Sequence, residues 1–371
     1  MKKQLLLPLV IILTFVAGFL TGVYLPSTSK TFEVQELSPS KKKSQTKEVP
    51  KEDEKVLIGY IQDFRDPNKI DFDNLTHIIF SFAHPTKDGN VLLNGDTALG
   101  NLRAIVNLAK ESDTKVMLAI GGWYHINGGE SYPYFKEAIS NPASRSKLAH
   151  ELNEMVQKEK LDGIDVDFEH PRSLEDAQNL SLFIKELNSL LDDKELSIAV
   201  NAKVHSVAGT EINNVQYDPA MFKEVDYVNI MAYDGQWDGE YNAANLSPLD
   251  FNQNIVNYWT GLFDSHKISR EKLVLGVPSY GQPEDPNVKQ VSYGAIISNN
   301  PGNAERDTVN MNGTIYHYNG VGSVQKKTEL ALNNGLGGMM LWEIGLDAEA
   351  SYSITSTIAQ VFGEIPLYTL K

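Results

Sequence analysis

Residues 162–169 read Asp162-Gly163-Ile164-Asp165-Val166-Asp167-Phe168-Glu169, with apolar and acidic side chains in strict alternation from Ile164 onward. At a period of two, Asp165, Asp167 and Glu169 share one face of a β-strand, and Ile164, Val166 and Phe168 share the other. Taken alone, the stretch serves equally as a half-solvated antiparallel strand, a divalent-cation cluster or a catalytic row. Its flanks decide. Leu148, Leu152, Met155 and Val156 mark an amphipathic helix before it. Leu180, Phe183, Ile184, Leu187, Leu190 and Leu191 mark another after it, at helical spacing, with Ser173 and Asp176 placed as a capping box at its start. A helix on each side argues for a strand that is parallel to its neighbours and covered.

The rest of the chain repeats this unit. Apolar runs at 55–59, 75–82, 115–120, 161–168, 195–200, 225–232, 272–277 and 337–342 are eight strand candidates, and Leu99, Leu102, Ile105, Val106 and Ala109 mark a further helix. Eight strands alternating with helices predict an α/β fold, a closed (β/α)8 TIM barrel, over an open doubly wound sheet. No glycine-rich phosphate loop follows the first strand, which weakens the open-sheet reading. In a barrel the face with Ile164, Val166 and Phe168 meets the helices. The acids then line the interior, stepping ~6.6 Å per pair toward the carboxyl-terminal mouth, where barrel enzymes keep their active sites. Three carboxylates buried in a row must share protons, and one of them stays protonated near neutrality. Glu169, last in the row, is the one placed to reach a substrate as a general acid.

Composition narrows the chemistry further. Among 371 residues there is no cysteine, which excludes disulfides, thiolate metal sites, iron–sulfur clusters and cysteine nucleophiles. The eight histidines are scattered, with none at ligand spacing beside the acids, so a hard-cation site of three carboxylates is the one metal reading left. No metal and no cofactor is expected. A net charge of −15 and the lack of any basic cluster after residue 55 exclude nucleic acid as a partner. Leu5 to Leu25 carry no charge behind Lys2 and Lys3. These residues are long enough to span a hydrocarbon core of ~30 Å, and no Ala-x-Ala cleavage pattern follows them. Residues 1–25 are therefore expected to be a signal anchor or signal peptide that exports the chain, with membrane contact through this segment alone. Residues 26–54, with six lysines and six acids, read as a flexible charged linker. Residues 55–371 then form the barrel and hold 25 basic against 42 acidic residues, so the acidity belongs to the folded part.

Asp162 to Glu169 resembles the D-G-x-D-x-D-x-E signature of glycoside hydrolase family 18, the chitinases and related endo-β-N-acetylglucosaminidases. Other stretches agree in order: Gly59-Tyr60 at the first strand end, Ala119-Ile120-Gly121-Gly122-Trp123 at the third and Met231-Ala232-Tyr233-Asp234 at the sixth. Pro278-Ser279-Tyr280-Gly281 follows the seventh, and Gly338-Met339-Met340-Leu341-Trp342-Glu343 lies on the eighth. The resemblance covers essentially all of 55–365. It implies substrate-assisted hydrolysis, in which the 2-acetamido carbonyl of the sugar replaces the second carboxylate of the usual scheme. On this resemblance Glu169 protonates the glycosidic oxygen and later activates water. Asp167 orients the acetamido N–H, Asp165 shares its proton, and Tyr233 hydrogen-bonds the acetamido carbonyl. Trp342 is the implied floor beneath the distorted sugar ring. Asp234, Tyr60, Trp123, Trp237 and Met231 are the remaining candidates for substrate contact, whereas Trp259, on a helix with Phe251, Ile255 and Leu262, reads as core.

The chain departs from the family pattern at Ala119, where the third-strand motif usually carries Ser. Tyr60 alone is then expected to hold the inner aspartate, at a lower turnover. Phe168 stands where Trp or Tyr is common, a change on the outward face. The stretch of about forty residues after Gly281 is too short for the large α+β insertion of bigger family members, which implies a shallow, open groove and cutting within chains. Chitin or chito-oligosaccharides are the expected substrate, ahead of N-glycans or peptidoglycan, and a catalytically silent glycan-binding barrel is the reading from another class. A monomer is expected.

Overall fold

The computed structural model describes residues 55–202 and 217–364; the expected anchor and linker lie outside them. Eight parallel strands close into a barrel: β1 (Val56–Gln62), β2 (His77–Pro85), β4 (Lys115–Gly121), β5 (Gly163–Asp167), β6 (Glu195–Asn201), β7 (Tyr227–Met231), β8 (Leu273–Pro278) and β13 (Gly338–Trp342). They run in sequence order around the sheet, and β1 pairs with both β13 and β2, which shuts it. Each apolar run predicted as a strand is one. The two-residue β3 (Val91–Leu92) forms an antiparallel extension of β2.

The helices on the outside are α1 (Gly95–Ala109), α2 (Tyr132–Ser140), α3 (Pro142–Glu159), α4 (Leu174–Leu190), α5 (Leu249–His266), α6 (Tyr293–Asn299), α7 (Val321–Asn333) and α8 (Ile354–Glu364). The start of α4 shows why it begins where it does. The Ser173 side chain accepts from the Asp176 N–H at 3.1 Å, and Asp176 turns back to accept from the Arg172 N–H at 2.9 Å. Trp259 is buried in α5, as its spacing predicts.

Alternation along the strands divides the core in two. Ile58, Tyr60, Ile79, Met117, Ala119, Val274 and Met340 pack inside the barrel, whereas Ile164, Val166, Phe168, Leu152, Leu180 and Phe183 fill the layer between strands and helices. At the amino-terminal end the interior is closed by polar groups: Glu195 on β6 accepts from Lys115 on β4 and pairs with His77 Nε2 on β2 at 2.9 Å. The outward-facing Phe168 stacks on Phe135 of α2 at 4.8 Å between ring centres and on Tyr132 at 5.6 Å. Burying such a ring contributes ~2–3 kcal/mol, with ~1 kcal/mol more from stacking. That contact fixes the chain on either side of it, which carries Asp167 and Glu169.

The segment after β8 forms a small antiparallel sheet in the order β10–β9–β12–β11, from β9 (Tyr280–Pro283), β10 (Val291–Ser292), β11 (Thr308–Met311) and β12 (Thr314–His317), with α6 between β10 and β11. The fold is a (β/α)8 barrel with this minor sheet after β8 and, among the described residues, no large insertion.

Candidate active site

The three acids sit where β5 reaches the mouth. Asp165 is fully buried and paired in register with Ala119 on β4 and Ser197 on β6. Its Oδ2 accepts from the Tyr60 hydroxyl at 2.8 Å; its Oδ1 accepts from the Ser197 hydroxyl at 2.6 Å and from Asn229 Nδ2 at 3.2 Å. Asn229 Nδ2 also donates to the Tyr60 oxygen at 2.9 Å. Tyr60 therefore does not hold the inner aspartate alone. Burial pushes the Asp165 carboxyl up to about 6, against the pull of these three donors.

Asp167 is the next step outward and stays buried. Burial, then the negative charges of Glu169 and Asp165, hold its carboxyl well above the usual carboxylate range. Among the described residues its buried Oδ1 meets no hydrogen-bond partner. The close approach around it depends on two glycines. Gly121 has φ +122°, and a Cβ there would lie 2.0 Å from the Asp167 carbonyl oxygen; Gly122, at φ +77°, donates its N–H to that oxygen at 2.9 Å. Glu169 lies two residues past Asp167 with its side chain 16% exposed, and His170 Nε2 is 3.5 Å from its Oε2. The row thus runs from a sealed acid to one open to solvent.

The opposite wall comes from β7, β8 and β13. Tyr233 is buried, and burial followed by the charges of Asp167, Asp234, Glu169 and Asp165 raises its hydroxyl well above its ordinary value, so it stays a donor. Asp234, at φ +62°, accepts from the Tyr280 hydroxyl at 2.6 Å and from Gln236 Nε2 at 3.0 Å. Trp342 is half-buried at the end of β13, with its ring 5.6 Å from Tyr60 and stacked on Phe82 at 5.7 Å. Behind it Glu343 is fully buried, bound by Arg65 Nε at 2.8 Å and by the Gly345 N–H at 3.0 Å. Ser279 donates its hydroxyl to the Glu343 carbonyl at 2.6 Å and its N–H to the Trp342 carbonyl at 3.0 Å. The indole is therefore set by a hydrogen-bonded frame on both sides.

Structure and sequence reading bring the same residues to one mouth, with differences in detail. Trp123 (41% exposed), in the loop after β4, and Trp237 (56% exposed), ending the 3-10 turn Gly235–Trp237 after β7, are both exposed. Trp237 leans on Tyr241 at 4.8 Å. Tyr60 is buried behind the row, with its hydroxyl committed to Asp165. Met231 ends β7, packed against the inner core. Ser197, Asn229, Phe82 and the Arg65–Glu343 pair escaped the sequence reading. Among the described residues, no group of three or more His, Asp or Glu side chains is disposed to hold a metal ion.

Comparison with known proteins agrees with this geometry. The chain is 26% identical over 352 residues to chitinase 1 of Aphanocladium album, covering 80% of this chain and 81% of that one. It is 27% identical over 238 residues to the secreted chitinase LysM12 of Penicillium expansum, covering 59% of this chain and 15% of that much longer protein. Among solved structures, the chitinase ChiB from the chitin utilization locus of Flavobacterium johnsoniae superimposes with a TM-score of 0.68 at 27% identity, covering 84% of this chain and 94% of that one. The model of the glycosyl hydrolases family 18 matches residues 56–347, nearly the whole barrel. The chain belongs to that family and is a chitinase-like glycosidase.

Proposed function

We propose that the barrel hydrolyses β-1,4 bonds of N-acetylglucosamine polymers with retention of configuration, chitin and chito-oligosaccharides being the substrates, and that it cuts within chains. The observation that carries the reading is the graded row: a sealed Asp165, a buried Asp167 whose proton affinity is raised by burial and by its acidic neighbours, and a partly exposed Glu169. In the first step the Glu169 carboxyl gives its proton to the glycosidic oxygen, and the anomeric C–O bond breaks with its electron pair going to that oxygen. The 2-acetamido carbonyl oxygen bonds to the anomeric carbon and closes a positively charged oxazolinium ring. Asp167 holds the acetamido nitrogen side, Tyr233 donates to the carbonyl oxygen, and Trp342 supports the ring's apolar face. In the second step water attacks the anomeric carbon, its proton passes to the Glu169 carboxylate, and the oxazolinium opens. Two inversions leave the β-anomer.

Support for export comes from the charge-free Leu5–Leu25 stretch and from the secreted relative. The protein acts outside the cell as a monomer, either anchored by residues 5–25 or released by cleavage. The test is product analysis by mass spectrometry, with chitin oligomers, chitosan, a high-mannose glycopeptide and peptidoglycan as separate substrates. The expected result is cleavage of chitin oligomers at internal bonds, with the β-anomer appearing first. Release of α-anomer overturns the substrate-assisted mechanism, release of dimers alone from one chain end overturns internal cutting, and exclusive cleavage of glycopeptide or peptidoglycan moves the substrate.

A further inference from the structure

We propose that the Ser197 hydroxyl is the positioning group for the Asp165 carboxylate, supplied from β6 in place of the hydroxyl that Ala119 lacks on β4. The proposal rests on the reading of Asp165, Asp167 and Glu169 as the catalytic row. Asp165 has two register partners, Ala119 on one side and Ser197 on the other. Neighbouring parallel strands lie ~4.8 Å apart, and register partners project to the same face, so a serine at either position reaches the same carboxylate. In this chain the reach is made from β6, at 2.6 Å to Oδ1. The other donor to that oxygen, Asn229 Nδ2, is at 3.2 Å, so the serine supplies its short contact. Ser197 is fully buried, and nothing but the barrel interior is available to its hydroxyl.

The role follows from where the proton sits. The titratable groups facing Asp165 are Tyr60 on β1, Asp167 on its own strand and Tyr233 beyond β7, while β4 presents only Ala119. With one proton on the Asp165–Asp167 pair, donors aimed at Asp165 keep it the ionised member and leave the proton on Asp167, the residue that faces substrate. Removing Ser197 Oγ raises the proton affinity of Asp165, so a second proton enters the pair at higher pH. A hydrogen bond to a charged acceptor corresponds to about one unit in that affinity. Ser197→Ala retains the Cβ, so packing is nearly unchanged.

The experiment compares the full chain with Ser197→Ala, Ala119→Ser and the double variant. The probe is a fluorogenic β-glycoside of the N-acetylglucosamine dimer, and kcat is followed against pH alongside Tm against pH. In Ser197→Ala the acid limb of kcat is expected to move up by about one unit. Its Tm should match the parent below pH 5 and fall behind above pH 7, because the extra proton affinity of the folded state lowers stability as pH rises. The double variant is expected to regain both parental profiles. A purely structural serine gives a Tm loss equal at every pH and no movement of the limb; that result, or a double variant no better than Ser197→Ala, overturns the proposal. If the parent hydrolyses none of the N-acetylglucosamine substrates, the functional reading falls, and the Tm comparison alone decides the placement of Ser197.

Discussion

Replacing Arg65 by Met tests how the Trp342 platform is held. Arg65 binds Glu343 Oε1 through Nε and Nη2, the Gly345 N–H donates to Oε2, and a backbone hydrogen bond from Gln62 also supports the carboxylate. The Glu343 side chain is 1% exposed and that of Arg65 27%. Breaking a buried pair by removing one partner costs 3–5 kcal/mol. Since the arginine stays partly hydrated, the low end applies, about 3 kcal/mol. For a domain of this size that lowers Tm by about 6 °C. The effect depends on pH in a definite direction. Burial already raises the Glu343 carboxyl, with Arg65 opposing it. Without the guanidinium the carboxyl rises further above its unfolded value, so the folded variant holds more protons than the unfolded chain and loses stability as pH increases. The deficit against the parent is therefore expected to be small near pH 4.5 and full by pH 8. The assay is thermal unfolding across that range, with Arg65→Met/Glu343→Gln as the control that removes the orphaned charge. The double variant should recover stability at pH 8, and affinity for oligosaccharide should follow, because Glu343 adjoins Trp342. A Tm loss independent of pH, or a double variant less stable than Arg65→Met at pH 8, refutes the account.

Three further outcomes follow from the same geometry. Glu169→Gln removes the transferable proton and is expected to lower kcat by roughly 10²–10⁴-fold, while calorimetry still detects oligosaccharide binding; a variant as active as the parent removes Glu169 from the mechanism. Tyr233→Phe deletes one donor to a charge-developing oxygen, and kcat should fall by about 10–100-fold with KM nearly constant, so a change in KM alone would show that the hydroxyl acts in binding only. Lys327 is fully buried, with Nζ bonded to the Ser247 carbonyl and hydroxyl and to Asn319 Oδ1, and burial pulls it down to about 7. The unfolded chain keeps that proton until ~10.4, so from pH 7 to 9 the unfolded state binds more protons and stability rises. Urea unfolding of Lys327→Met should lose that rise; an unchanged slope assigns it to other groups.

The barrel strands were legible because each is a nearly continuous apolar run, and the interruptions in those runs carry the information. Asp165 and Asp167 announced themselves as charges inside an apolar strand. Ser197, in Leu196-Ser197-Ile198, and Asn229, in Val228-Asn229-Ile230, send the same signal more quietly, because a serine or asparagine costs far less to bury than a carboxylate and so stands out less. Parity could have flagged them as inward-facing, since Ser197 and Asn229 interrupt runs whose neighbours pack on the helices. What parity cannot supply is register. That Ser197, and not Ala199, stands opposite Asp165 depends on how far each strand is slid along the next, which the closure of the whole barrel sets. The minor sheet differs again. Its strands have four residues or fewer in a polar stretch, yet Asn312-Gly313, both at positive φ, sit between Met311 and Thr314 as a two-residue hairpin turn that was readable in advance. The sequence therefore discloses this site in proportion to the desolvation penalty of each residue. The two buried aspartates were found first, and the hydroxyl and amide that hold one of them came to light only once their strands were aligned.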